Sequence, residues 1–151
     1  MLYEIITSMA RNKVSDFMVS NPTKVSLDIS VTEVAKLMLE QSISSVIIVK
    51  DNKPIGIVTE RDLVHRVIAR GINPNSTTAF QVCSKPVISI LSFEDVDVAV
   101  EVMRKHKIRR LVVINQYDEV VGILTTDDIG YNLKKISEEL AIKYLTLISR
   151  K

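Results

Sequence analysis

The sequence has no tryptophan, and its few phenylalanines and tyrosines make up only 5% of the chain. It therefore offers no series of aromatic platforms on which single-stranded bases could stack. Cysteine occurs once, at Cys83, which rules out an internal disulfide and fits a reducing compartment. Charge of one sign is not in excess: 20 basic against 18 acidic residues leave a net charge of +2, too little for a broad phosphate track. Apolar runs such as Val46-Ile47-Ile48-Val49 stop far short of the ~18 residues of a membrane span. The opening Met1-Leu2-Tyr3-Glu4 has no basic n-region, so no secretory leader is expected. With four glycines, none in a Gly-rich phosphate loop, the chain cannot cradle ATP as a P-loop does. What is present is a 46% hydrophobic fraction, which excludes intrinsic disorder. A soluble, cytoplasmic, compact protein is the expectation.

The chain repeats itself. Gly56-Ile57-Val58-Thr59-Glu60-Arg61-Asp62-Leu63 returns 66 residues later as Gly122-Ile123-Leu124-Thr125-Thr126-Asp127-Asp128-Ile129. Upstream, Val31, Val34, Ala35 and Met38 stand at helical spacing, and Val96, Ala99, Val100 and Met103 repeat the stripe. Ser30 with Glu33 has the spacing of a capping box, and Asp95 takes the matching N-cap place. Each helix is followed by two β-rich runs around a polar turn, Val46 to Val49 with Ile55 to Val58, and Leu111 to Ile114 with Val120 to Leu124. Short strands are expected before each helix at Thr23-Lys24-Val25 and Val87-Ile88-Ser89, and a second helix from Arg61 to Arg70, stopped by Gly71. The unit is strand–helix–strand–strand–helix, present twice, an α/β (α+β) arrangement.

The divisions expected are a flanking helix over 1–13, a first repeat over 14–71, a linker over 72–78, a second repeat over 79–131 and a C-terminal helix over 132–151. Leu2, Ile5, Ile6 and Met9 carry the first flanking stripe, and Leu133, Ile136, Leu140, Tyr144 and Leu147 the last. Glu138 and Glu139 spoil a cationic membrane-binding face there, so packing on the module or on a second copy is expected. A unit of about sixty residues buries too little surface to stand alone, so the two repeats should pack on each other.

The doubled Gly-hydrophobic-hydrophobic-Thr-x-x-Asp motif, at Gly56/Thr59/Asp62 and Gly122/Thr125/Asp128, resembles the tandem CBS-domain pair, or Bateman module, over roughly Val14 to Tyr131. The resemblance implies two pseudo-symmetric repeats packed sheet to sheet, and a regulatory, energy-sensing module rather than an enzyme. It implies adenosyl effectors, AMP, ADP, ATP or S-adenosylmethionine, bound in clefts between the repeats, and pairing into a homodimer. Carried over, Asp62 and Asp128 accept from ribose hydroxyls, Thr59 and Thr125 sit near phosphate, and residues near Lys24 and Ile88 line the adenine pocket. Many members have proline early in the second strand, where this chain has Val46 and Val112. That departure is expected to alter edge geometry without abolishing binding.

The chemistry of the motif stands beside the resemblance. A carboxylate suits a vicinal diol, because charge-assisted hydrogen bonds are the stronger kind. The motif ends a strand and opens a helix, whose N–H groups favour an anion, and its glycine would let a ligand approach the strand closely. Thr-x-x-Asp equally fits a helix cap, and the two roles need not exclude each other. Among the basic residues Arg104, Lys105, His106, Lys107, Arg109 and Arg110, the lysines read as a solvated helix end. Arg109 and Arg110 read either that way or as a fork onto phosphate, where the first repeat has the neutral Ser44 and Ser45. Unequal sites follow, with the Asp128 site and the arginines expected to hold phosphate more tightly.

His65, His106 and Cys83 form no metal-ligand spacing, and no nucleophile–base–acid set is visible. No catalysis, metal or catalytic cofactor is expected. With no effector domain in the sequence, a separate partner protein would receive the signal. The alternative reading is a nucleotide-independent interaction or scaffold homodimer, while nucleic-acid binding is disfavoured by the small net charge.

Overall fold

The computed structural model describes residues 12–148 and Tyr3. The flanking helix expected on Leu2, Ile5, Ile6 and Met9 lies outside the described residues. The first repeat runs through α1 (Val14–Phe17), β1 (Val19–Ser20), β2 (Lys24–Val25), α2 (Val31–Gln41), β3 (Ser45–Lys50), β4 (Lys53–Thr59) and α3 (Glu60–Leu63). α3 continues as a π-helical turn over Val64–Ile68 and stops at Gly71, with φ +65°. The second repeat runs through α4 (Ala79–Val82), β5 (Ser89–Leu91), α5 (Val96–His106), β6 (Arg110–Ile114), β7 (Val120–Thr125) and α6 (Thr126–Ile148). No helix among the described residues is long and apolar enough to cross a membrane.

The two long first helices follow from their stripes. α2 buries Val31, Val34 and Met38, and α5 buries Val96, Ala99 and Met103. The other stripe members, Ala35 and Val100, are exposed: each buried face is narrower than the pattern suggested. Ser30 accepts from the Glu33 amide at 3.2 Å, but the Glu33 carboxylate turns to Lys36, so only half of the capping box forms. Asp95 caps α5 through its backbone alone, its carboxylate bonding Lys13 Nζ at 2.8 Å. Both helices end on a left-handed residue, Ser42 (φ 52°) and Lys107 (φ 54°).

Each helix returns the chain to a strand parallel to the one before it, β2 beside β3 and β5 beside β6. The hairpins then add β4 and β7 antiparallel. The Asp51-Asn52 loop has positive φ at both residues, the conformation whose twist suits a two-residue hairpin. The sheet orders are β2-β3-β4 and β1-β7-β6-β5. Both β3 and β6 are therefore interior strands, and Val46 and Val112 sit in paired positions rather than at an edge, correcting that expectation. β5 begins two residues later than expected because its pairing with β6 starts at Ser89 opposite Val112.

Strand alternation divides the core in three. Val46 and Ile48 face the helices of the first repeat, while Leu111 and Val113 face those of the second. Between the sheets lies the third cluster, Ile47 with Val112, Val120 and Ile123. Val120 and Ile123 share a face despite their odd spacing because the register slips between Val113 and Ile114.

The leading segment of each repeat crosses to the other repeat. α1 places Val14 and Phe17 in the second repeat's core, and β1 pairs with β7. α4 places Ala79 and Val82 in the first repeat's core, with Ser84 bridging Ile57 of β4. These crossings explain the motif glycines. A Cβ on Gly56 would stand 2.6 Å from Cys83 Sγ, and one on Gly122 would stand 2.5 Å from Met18 Sδ and 3.0 Å from the Val19 carbonyl. The space above each glycine is filled by the crossing chain, not left open for a ligand as the sequence suggested.

The C-terminal region differs from its expectation in one respect. The second helix of repeat two and the flanking helix form one element, α6, of 23 residues. Gly130 lies inside it, at the place of Val64 in the first repeat, whose second helix instead ends near the left-handed Gly71. Of the apolar stripe only the Leu133 side chain is described, and it is half exposed.

Gly56→Ala is expected to destabilise the fold by about 1–3 kcal/mol through overpacking against Cys83. In urea unfolding, a Gly56→Ala/Cys83→Ala cycle should show favourable coupling of at least ~0.5 kcal/mol. Simple additivity would mean that the sulfur is not what the new methyl meets.

Candidate ligand-binding clefts

The Thr-x-x-Asp motifs close as reciprocal caps in both repeats. At the start of α3, the Thr59 amide and hydroxyl donate to Asp62 Oδ2 at 2.9 and 3.1 Å, and the Asp62 amide donates back to Thr59 Oγ1 at 3.3 Å. At the start of α6, the Thr125 amide and hydroxyl both donate to Asp128 Oδ2 at 2.9 Å, with the Asp128 amide returning at 3.1 Å. The structural role of the motif is thus realised twice.

Each cap occupies one carboxylate oxygen and leaves the other. Asp62 Oδ1 lies 3.4 Å from Arg66 Nη2, one helical turn on. Arg66 also donates to the Val82 carbonyl at 2.7 Å and to Ser84 Oγ at 3.2 Å, tying the first motif to the crossing segment. Asp128 Oδ1 has no hydrogen-bond or ion-pair partner among the described residues. The equivalent helical place in α6 holds Asn132, which donates to the Asp128 backbone carbonyl.

Two clefts open beside the packed sheets, one at each motif. The first, about 500 Å³, is lined by Thr59 and Asp62 from repeat one and by Ser84, Pro86, Ile88 and Arg109 from repeat two, with Arg61, Lys107 and Arg110 at its walls. The second, about 390 Å³, is lined by Thr125 and Asp128 from repeat two and by Pro22, Thr23, Gln41 and Ser45 from repeat one, with Arg110 again present. Each cleft therefore takes its motif from one repeat and its opposite wall from the other, as the crossings dictate.

The structure brings together eight of the nine expected side chains but sorts them differently. Thr59, Asp62, Ile88 and Arg109 share the first cleft, Thr125, Asp128 and Ser45 share the second, and Arg110 reaches both. The expected grouping of both arginines with Asp128 is corrected, because Arg109, just before β6, lines the wall facing the other repeat's motif. Lys24 lines neither cleft: it stands on the outer strand β2 and donates to Asn52 Oδ1 at 2.9 Å. Lys107, read as a solvated helix end, is exposed and also lines the first cleft, brought round by its left-handed cap.

Sequence reasoning passed over Arg61, Arg66, Ser84, Pro86, Pro22 and Thr23 as site residues. Arg66 carried a usable signal, standing four residues after Asp62 on one helix face. The residues around Pro22 and Pro86 could be placed only once the crossing segments were known. Cys83 lies buried behind the first cleft, and burial pushes its thiol pKa up against the nearby Lys85 and Arg66 charges. Among the described residues no cluster of three or more His, Cys, Asp or Glu side chains could hold a metal.

A pair of sheet-packed repeats with a capped Thr-x-x-Asp at each of two clefts defines a class, and comparison identifies it. The CBS domain family model matches residues 14–69 and 79–133, and the chain belongs to the CBS-domain family. An uncharacterized protein of Methanopyrus kandleri is 37% identical over 130 residues, 83% of this chain and 64% of its own length. The chain thus spans just under two thirds of that relative. Among solved structures, a CBS domain protein from Pyrobaculum aerophilum complexed with AMP matches with TM-score 0.75 at 28% identity, covering 87% of this chain and 99% of that one. A CBS domain pair in complex with 5′-methylthioadenosine and S-adenosyl-L-methionine matches with TM-score 0.72 at 29% identity, covering 81% and 99%.

Removing the caps separates their two copies. Asp128→Ala should cost about 1 kcal/mol as a lost cap, while Asp128→Asn, which keeps an acceptor oxygen, should cost little. Asp62→Ala should cost a further ~0.5–1 kcal/mol, because the partly exposed contact to Arg66 goes with it. Chemical unfolding of the three variants checks this order, and equal losses for the two alanine variants would show that Arg66 adds nothing.

Proposed function

We propose that the protein is a non-catalytic regulatory module that binds adenosyl ligands in these clefts and passes the signal to a separate partner in the cytoplasm. The single observation that carries the reading is the unspent oxygen of Asp128. The cap consumes Oδ2, and Oδ1 remains as a half-buried, charged acceptor in a cleft large enough for a nucleoside. A vicinal diol supplies two donors to such an oxygen. Pro22 with Ile47 in the Asp128 cleft, and Pro86 with Ile88 in the Asp62 cleft, give each an apolar wall against which a flat base can lie. The AMP and S-adenosylmethionine complexes of the structural relatives support the same ligand class.

Binding between two repeats gives such a module its output. A ligand shifts an equilibrium only through different affinities for two states. Here it would touch both repeats at once, so any change in their packing changes the affinity. We also propose a homodimer, supported by the exposed apolar side chains of Leu39 (81%) and Ile68 (71%) beside Val64 on one face of the first repeat.

The completeness of both caps favours a second reading, a scaffold dimer in which the motif only starts helices. A thermal-shift screen with AMP, ADP, ATP and S-adenosylmethionine separates the two. A ligand at a hundredfold excess over its dissociation constant should add roughly 2.7 kcal/mol. The shift should vanish in Asp62→Asn/Asp128→Asn, which keeps the caps. Absence of a shift in the unsubstituted protein would leave the scaffold reading.

A further inference from the structure

We propose that the two clefts divide adenosyl ligands by the charge at the 5′ end, and that Arg110 enforces the division. The Asp62 cleft takes a phosphorylated ligand, and the Asp128 cleft one whose 5′ substituent is uncharged. This rests on the nucleotide-binding reading and deepens it.

The difference begins in the sequence and is sorted by the crossing of the repeats. At the strand start the second repeat has Arg109 and Arg110 where the first has Ser44 and Ser45. Inside the motif, Arg61 of the first repeat stands where the second has Asp127. Because each cleft joins one repeat's motif to the other's strand, both cationic variants fall on the same side. The Asp62 cleft gathers Arg61, Lys107, Arg109 and Arg110 against the carboxylates of Glu60 and Asp62. The Asp128 cleft has hydroxyl, amide and apolar walls, and among the described residues its one lining cation is the same Arg110.

Arg110 is placed to serve only one phosphate. Its backbone pairs with Thr125 of the second motif. Its Nη2 reaches over to donate to Ser44 Oγ at 2.9 Å, and Ser44 lines both clefts. Its Nε is buried with no hydrogen-bond partner among the described residues. A guanidinium presents its donors in a fixed planar fork, so a phosphate that claims the fork orients it toward one cleft. In the Asp62 cleft that phosphate also meets three further cations. In the Asp128 cleft it would depend on Arg110 alone, with Asp127 nearby in the first turn of α6. A ligand with an uncharged 5′ end makes no such demand and can still use the free oxygen of Asp128.

Isothermal titration with ATP and with 5′-methylthioadenosine tests the division on the full chain. Asp62→Asn should weaken ATP by at least about tenfold and leave 5′-methylthioadenosine within about threefold, and Asp128→Asn should do the reverse. Each variant's retained ligand certifies that it is folded. Protein saturated with ATP should still bind 5′-methylthioadenosine at full stoichiometry. Arg110→Gln should weaken ATP by about tenfold with little change in 5′-methylthioadenosine. The proposal is overturned if the two ligands displace each other, if ATP is lost through Asp128→Asn, or if Arg110→Gln weakens both equally. Failure of every adenosyl ligand to bind the unsubstituted protein would overturn the nucleotide reading itself.

Discussion

Everything in this structure depends on burying the second face of each sheet. Helices cover one face, Val46 and Ile48 in the first repeat and Leu111 and Val113 in the second. The other face carries Ile47 and Val112, which are as apolar as their neighbours and at most 1% exposed. A three- or four-stranded sheet with two hydrophobic faces cannot stand alone in water. The repeats must therefore meet sheet to sheet. The two motif clefts lie beside that packed contact, each lined from both repeats.

The crossing segments turn this contact into a stitched pair. α1 and β1 complete the second repeat, while α4 and the residues up to Ser84 complete the first. The hairpin turns add a further tie, with the Val120 amide donating to the Asn52 carbonyl at 3.0 Å and Asn52 donating to Glu119 at 3.1 Å. Separating the repeats would expose both the central cluster and the pockets that hold Phe17 and Val82. This is why the motif glycines matter: they admit the crossing chain against β4 and β7.

At the motifs, stability and recognition share one side chain. A carboxylate has two oxygens, and the fold uses Oδ2 of Asp62 and Asp128 to start a helix. The remaining oxygen differs between the copies. In the first it faces Arg66, which also holds the Val82 carbonyl and Ser84, so motif, helix and opposite wall form one unit. In the second it has no partner among the described residues. Two motifs that read almost identically thus present different electrostatic environments to whatever enters.

The sequence by itself determined the local structure. Spacing placed α2 and α5, the alternating runs placed the hairpins, and Thr-x-x-Asp placed both helix starts, because these depend on neighbours a few residues apart. The doubled motif was enough to expose the family. Tertiary structure alone decided which halves of the two motifs share a cleft. Arg109 stands with Asp62 rather than with Asp128, Lys24 turns away to Asn52, and the space above Gly56 belongs to Cys83. Contacts across such separations leave no periodic trace in the chain. They are set by which leading segment fills which repeat, and that choice is made by the apolar surface left over once each repeat has formed.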